Sequence, residues 1–183
     1  MRKILLFIIA AFFFISCDKE TDPFLITKNQ VGPLNQKIRI NQLDSIFEND
    51  SIVKQVNEGE FFTNSNEIDV YDQDGKHLLV LEPIQPFDST SSIGYIRIMD
   101  PRFETAEGLN LNSTFKDIVE NYKISRIENT LNAAVIFIDD LNIYITIDKK
   151  ELPAELRYDN ETTIRASQIP DEAKIKYFMI GWD

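Results

Sequence analysis

Two stretches of this chain alternate apolar and polar side chains about a short turn, and each reads as a β-hairpin. Ile68-Asp69-Val70-Tyr71 and His77-Leu78-Leu79-Val80-Leu81 flank Asp74-Gly75. Ala134 to Ile138 and Ile143 to Ile147 flank Asp139-Asp140-Leu141-Asn142. A period of two sends successive side chains to opposite faces of a strand, and Asp-Gly tolerates the positive backbone angles of a tight turn. Phe24 to Ile26 reads as a short strand before the Gly32-Pro33 turn, and Gly94 to Ile98 as another. Lys174 to Ile180 is expected to be the last strand, with Ile175, Tyr177 and Met179 on one face. Helical spacing appears twice. Asn41 is expected to cap a helix carrying Leu43, Ile46 and Phe47 on one side. Ser113 or Thr114 is expected to cap a second, with Phe115, Ile118, Val119 and Tyr122 as its apolar stripe. The fold class that follows is α+β, with short helices packed on a mainly antiparallel sheet.

Helix, hairpin, connector and strand thus occur twice. Setting Asn41 against Ser113, a spacing of 72, aligns Leu43 with Phe115, Ile46 with Ile118 and Phe47 with Val119. The expected division is a first α+β unit over residues 24–100 and a second over 101–183, which together can form one joint domain. Gly32 and Gly108 miss this alignment by four residues, so the sequence leaves a true duplication open. The element order resembles the tandem helix-plus-three-strand units of the β-lactamase inhibitor proteins and of the small outer-membrane assembly lipoproteins. No motif is shared, so the resemblance transfers no functional residue.

The N-terminus is of another character. Arg2 and Lys3 precede twelve apolar residues, Ile4 to Ile15, and Ser16-Cys17 closes the run. Twelve residues make a helix of about 18 Å, short of the ~30 Å hydrocarbon core, which marks residues 1–16 as an export signal rather than a span. Phe14-Ile15-Ser16-Cys17 resembles the lipobox of bacterial lipoproteins, with Phe standing where the family more often has Leu. The resemblance implies cleavage before Cys17, its acylation, and a stable membrane anchor in the cell envelope. Cys17 is the single cysteine, so no internal disulfide competes for it. Residues 17–23 then form a lipidated tether reaching about 20 Å, which keeps the domain close to the bilayer. Asp18 resembles an inner-membrane retention signal of one bacterial group and part of a surface-export signal of others, so membrane and face stay open.

Removal of the signal leaves 17 basic against 30 acidic residues, a net charge of −13. Such a surface repels nucleic acid and anionic lipid headgroups, so neither is expected as a direct partner. His77 is the only histidine and Cys17 the only cysteine, which removes triads, cysteine–histidine pairs and histidine zinc sites. The glycines are scattered, with no phosphate-cradling loop, and no cofactor is implied. Asp72-Gln73-Asp74-Gly75 has the start of a calcium loop without its distal glutamate, and is expected to be a turn.

Two functional classes remain. The leading expectation is a non-catalytic binding module anchored to the envelope, with a protein or glycan partner. Phe61 and Phe62 are its candidate contacts, as neighbouring aromatics in a polar segment. The alternative is a small envelope hydrolase of glycosidase type using two of the carboxylates. Asp50-Ser51-Ile52 and Asp88-Ser89-Thr90 resemble an O-glycosylation sequon of exported bacterial proteins, making Ser51 and Ser89 candidate modification sites.

Overall fold

The computed structural model describes residues 22–54, 66–158 and 160–182. Its frame is one antiparallel sheet of eight strands. Four come from the first half of the chain: β4 (Ser51–Lys54), β5 (Ile68–Tyr71), β6 (His77–Pro83) and β7 (Ile93–Ile98). The other four are β9 (Arg126–Asn129), β10 (Ala133–Ile138), β11 (Ile143–Asp148) and β12 (Ile175–Gly181). The strand order is β4-β5-β6-β7-β12-β11-β10-β9, two meanders that meet at their last strands. A small second sheet joins β1 (Leu25–Thr27), β2 (Gln30–Val31) and β3 (Leu34–Asn35) to β8 (Glu104–Thr105), which runs parallel to β1. Short helices complete the molecule: α1 (Leu43–Ile46), α2 (Phe115–Asn121) and α3 (Ala154–Arg157). The class is therefore α+β, mainly β, with antiparallel pairing throughout the large sheet.

Direct cross-strand partners share a face of a sheet, so the register sorts every side chain. One face carries Val70, Leu79, Ile98, Phe178, Ile145, Ile136 and Ile127 in a continuous line from β5 to β9. This inner face is almost wholly β-branched and aromatic, the residues that fit a pleated surface. Leu43 of α1, with Phe115 and Ile118 of α2, joins it in a single buried cluster that spans both meanders.

The two expected hairpins are present, with Gly75 at φ 77° and Asn142 at φ 56° in their turns. Asn is among the few side chains that enter this left-handed region at low cost. The second helix begins as expected at Thr114, whose N–H donates to the Asp117 carboxylate at 2.7 Å. Its stripe is narrower than the spacing predicts, because Val119 is 41% exposed while Phe115 and Ile118 are buried.

Two further expectations are corrected, and two strands are added. Asn41 caps nothing: a 3-10 turn over Ile40–Gln42 precedes α1, and Arg39 N–H donates to the Gln42 side chain at 2.8 Å. Strands β4 and β9 lie where the sequence pattern indicates no strand. In β12 the face assignment of Tyr177 and Met179 is reversed. Thr146 pairs with Tyr177 but Ile147 pairs with Ile175, so Lys176 is an extra residue in a bulge. The bulge returns Ile175 to the inner face alongside Phe178 and Ile180 and sends Tyr177 and Met179 outward.

Candidate functional site

The outer face follows from the same register. Val53, Asp69, Val80, Arg97, Met179, Tyr144, Phe137 and Arg126 stand in one row, one residue from each of the eight strands. Beside it lies a second row of Glu82, Tyr95 and Gly181. Strands with one dry and one wet face ordinarily alternate Ile with Lys, Glu or Thr. Here Tyr95 and Arg97 of β7, Phe137 of β10 and Tyr144 of β11 take outward positions, next to Val135 and Thr146. Asp69 and Val80 are buried, and the row becomes accessible towards β9.

At that accessible end the side chains enclose a groove of about 520 Å³, within the size range of small-molecule sites. Its floor is Tyr144. A Cβ built on Gly181 would meet the Tyr144 hydroxyl at 2.7 Å and ring carbon Cε1 at 3.1 Å, so the tyrosine occupies space that only glycine leaves vacant. Tyr95, 41% exposed, stands edge-on to Tyr144, with centroids 6.2 Å apart and planes at 71°. Phe137 lies on the other side, tilted by 35° at 5.6 Å. The Arg126 guanidinium sits 3.5 Å from the Phe137 centroid, a cation–π contact. Its Nε donates to Glu128 at 3.0 Å and its Nη1 to Asp139 at 3.3 Å. Asn142 completes the rim; its carbonyl accepts the Gly181 N–H at 3.0 Å.

Charged clusters elsewhere have partners of their own. Asp100, fully buried after β7, accepts from Arg102 N–H and Nε at 2.9 Å each and from Arg102 Nη2 at 2.6 Å. Lys76 Nζ reaches it at 3.0 Å. Burial pushes the Asp100 carboxyl up, yet the Arg102 and Lys76 hydrogen bonds outweigh it and hold the group at about 2. Arg102 also bonds Asp72 at 2.7 Å and lies over the Phe24 ring, so the cluster ties the β5–β6 turn to the strap before β8. His77 stacks on Tyr71, with its Nε2 3.0 Å from Asp69. Glu82 is raised from the ordinary carboxylate range by burial first and by the neighbouring Glu67 second, and Glu67 lies 3.5 Å from Arg97.

Cys17, Phe61 and Phe62 lie outside the described residues. Ser51 opens β4 and Ser89 lies in the β6–β7 connection; both are exposed, and the Ser89 carbonyl accepts the Asn41 N–H at 2.8 Å. Asp72 to Gly75 form a turn in which the Asp72 carboxylate accepts the N–H groups of Asp74 and Lys76. Among the described residues no group of three or more His, Cys, Asp or Glu is arranged to hold a metal ion. The sequence marks Asp139 and Asn142 of the groove only as turn residues and points to none of its lining residues as a site. The signal available was the aromatic and arginine content of the outward positions, Tyr95, Phe137 and Tyr144.

No family model matches the sequence, and no curated protein matches it. Among solved structures the chain is similar to the uncharacterized protein yfeY from Escherichia coli, with a TM-score of 0.54 and 13% identity. The match covers 85% of this chain and 98% of that one. At this identity the likeness speaks for a shared fold.

Proposed function

We propose that this chain is a lipid-anchored envelope protein that acts as a non-catalytic binding module through the outer face of its large sheet. The observation that carries the reading is the groove around Tyr144. Aromatic side chains clustered on an accessible sheet face supply contact area at low entropic cost, and aromatics and arginine dominate binding hot spots. The order of the two meanders supports tandem units over 24–100 and 101–183 built on one scaffold. Their last strands pair, and the groove straddles that seam, with Tyr95 from the first half of the chain and its other lining residues from the second.

The anchor belongs to the same proposal. Cys17→Ser is expected to move the protein from the membrane to the soluble fraction and to abolish acyl labelling. A variant that stays in the membrane fraction and still carries label would contradict it. For the module itself, the double replacement of Tyr95 and Tyr144 by Ala is expected to leave the melting temperature within a few degrees. The same variant should lose the envelope component that chemically cross-links to the native protein. Unchanged cross-linking in a folded variant would move the interface elsewhere.

The alternative reading is a hydrolase of glycosidase type, and one observation favours it. Burial first and the neighbouring Glu67 second raise Glu82, and two carboxyls in unlike environments are how such enzymes divide acid and base roles. Hydrolysis of an oligosaccharide by the native protein but not by Glu82→Gln would select this reading over a binding module.

A further inference from the structure

We infer that the end of the large sheet bearing Leu131 and Tyr158 rests on the bilayer, its occupant being the interface of zwitterionic phospholipid. The inference goes beyond the binding module and rests on the Cys17 anchor. Two placements meet in it: where apolar side chains are most exposed, and where the chain enters the fold.

Tyr158 and Leu131 are the most exposed large apolar side chains among the described residues, at 90% and 71%. Distant in sequence, they are brought to one end of the molecule. Leu131 tips the β9–β10 turn, which Thr130 closes by donating its N–H and its hydroxyl to the Ala133 carbonyl at 2.9 and 2.8 Å. Tyr158 follows α3. Lys149 joins the two places, since its N–H donates to the Asn132 carbonyl at 3.0 Å and its Nζ to the Asn160 side chain at 2.5 Å. Asn129 Nδ2 donates to the Thr162 carbonyl at 2.7 Å, which fastens the same stretch to β9. Both side chains are thus flanked by tied backbone and directed outward.

The register shows that the N-terminal strap reaches this same end. Ile98 at the close of β7 pairs with Phe178, Ile175 at the start of β12 with Ile147, and Asp148 at the close of β11 with Ala133. These residues form one end of the sheet. Phe24 lies there beneath Arg102, 4.6 Å from its ring, and Arg102 bonds Asp72 of the β5–β6 turn. Residues 17–23 reach about 20 Å from an acylated Cys17, so this end stays within that distance of the headgroups. Pro83 pairs with Ile93 at the opposite end, where the β6–β7 connection exposes Phe87 by 54%. That loop stands farther off by the length of β7, about 20 Å.

An aliphatic side chain beside an amphipathic ring suits the bilayer interface. Leucine enters the acyl boundary while the tyrosine hydroxyl stays among headgroups. Two such side chains would hold a free protein weakly. On a short tether the contact is intramolecular, and its high effective concentration lets weak contacts set the orientation. The mature charge of −13 opposes an anionic surface, which selects zwitterionic lipid. The Tyr95–Gly181 end of the sheet then faces away from the bilayer.

The experiment places the full-length acylated chain in phosphatidylcholine vesicles with brominated acyl chains. Leu131→Trp, Tyr158→Trp and Phe87→Trp serve as reporters, because bromine quenches tryptophan on contact. Trp182 is buried at the far end and gives the baseline of the native protein. Thermal melts confirm that each variant is folded. Emission of Leu131→Trp and Tyr158→Trp is expected to fall by about twofold or more against unbrominated vesicles, as for side chains seated in the headgroup boundary. Phe87→Trp and the native protein should not change, and added phosphatidylglycerol should not deepen the quenching. The inference is overturned if either reporter is unquenched in an acylated chain, if Phe87→Trp is quenched equally, or if quenching requires phosphatidylglycerol. Reporters shielded from soluble iodide but untouched by bromine would assign this end to a second copy instead. A chain that carries no acyl group and stays outside the vesicles would remove the Cys17 anchor and this inference together.

Discussion

Phe178→Ala is expected to destabilise the protein by about 3–5 kcal/mol, the usual cost of truncating a buried phenylalanine. Phe178 is fully buried on β12, paired with Ile98 on one side and Ile145 on the other. It therefore stands on the seam where the two meanders join, and the cavity left by its ring would open to both. Chains of this size have total stabilities of about 5–15 kcal/mol, so the loss is a large share and lowers Tm by roughly 10 °C. Thermal melts followed by near-ultraviolet and far-ultraviolet circular dichroism check it. One coincident transition, shifted down in the variant, is expected from a single core. Two transitions, only one of them moved, would show that the meanders unfold separately.

The second large effect concerns Asp100. Asp100→Ala is expected to cost about 3 kcal/mol, the low end for breaking a buried ion pair, because Arg102 and Lys76 are half-exposed and recover water. The same carboxylate makes the fold acid-sensitive. Its folded value of about 2 lies below the ordinary Asp value, so its contribution is complete above about pH 4 and is lost as pH falls through 2. The linked change is about 2 kcal/mol. Urea unfolding at pH 5 and pH 2.5 measures it. The native chain should lose more stability than Asp100→Asn over that interval; equal losses would mean that other carboxylates carry the acid response.

How far the sequence reveals this molecule depends on where each residue's structural information is stored. The β5–β6 and β10–β11 hairpins are legible because alternation and turn chemistry are both local, Asp74-Gly75 in one and Asn142 in the other. The cap of α2 is legible because Thr114 and Asp117 are three residues apart. Strands β4 and β9 are not legible, since Ser51-Ile52-Val53-Lys54 and Arg126-Ile127-Glu128-Asn129 are short edge segments whose polarity resembles a loop. Their strand character comes from the neighbour they pair with. The phase of β12 is misread because a bulge at Lys176 is set by Ile147 on another strand, beyond the reach of local alternation. The groove is hidden for the same reason. Tyr95, Arg126, Phe137, Tyr144 and Gly181 come from five strands, and only the β7–β12 pairing brings Tyr95 beside Gly181. What the sequence does display is Tyr95 and Arg97 of β7, Phe137 of β10 and Tyr144 of β11 at outward positions.

On the proposed binding-module reading, the outer sheet face, not the helical side, meets the partner. Acylation would occupy Cys17, leaving the mature chain without a free thiol, so a single introduced cysteine can be labelled uniquely. Tyr95→Cys places that thiol on the outer face at the groove, and Val119→Cys places it on α2, where both native residues are 41% exposed. Maleimide labelling rates are then compared between intact envelopes and the purified protein. The Tyr95→Cys thiol is expected to be protected at least several-fold in the envelope while the Val119→Cys thiol labels equally in both. Protection at Val119→Cys with free labelling at Tyr95→Cys would contradict it and turn the molecule round.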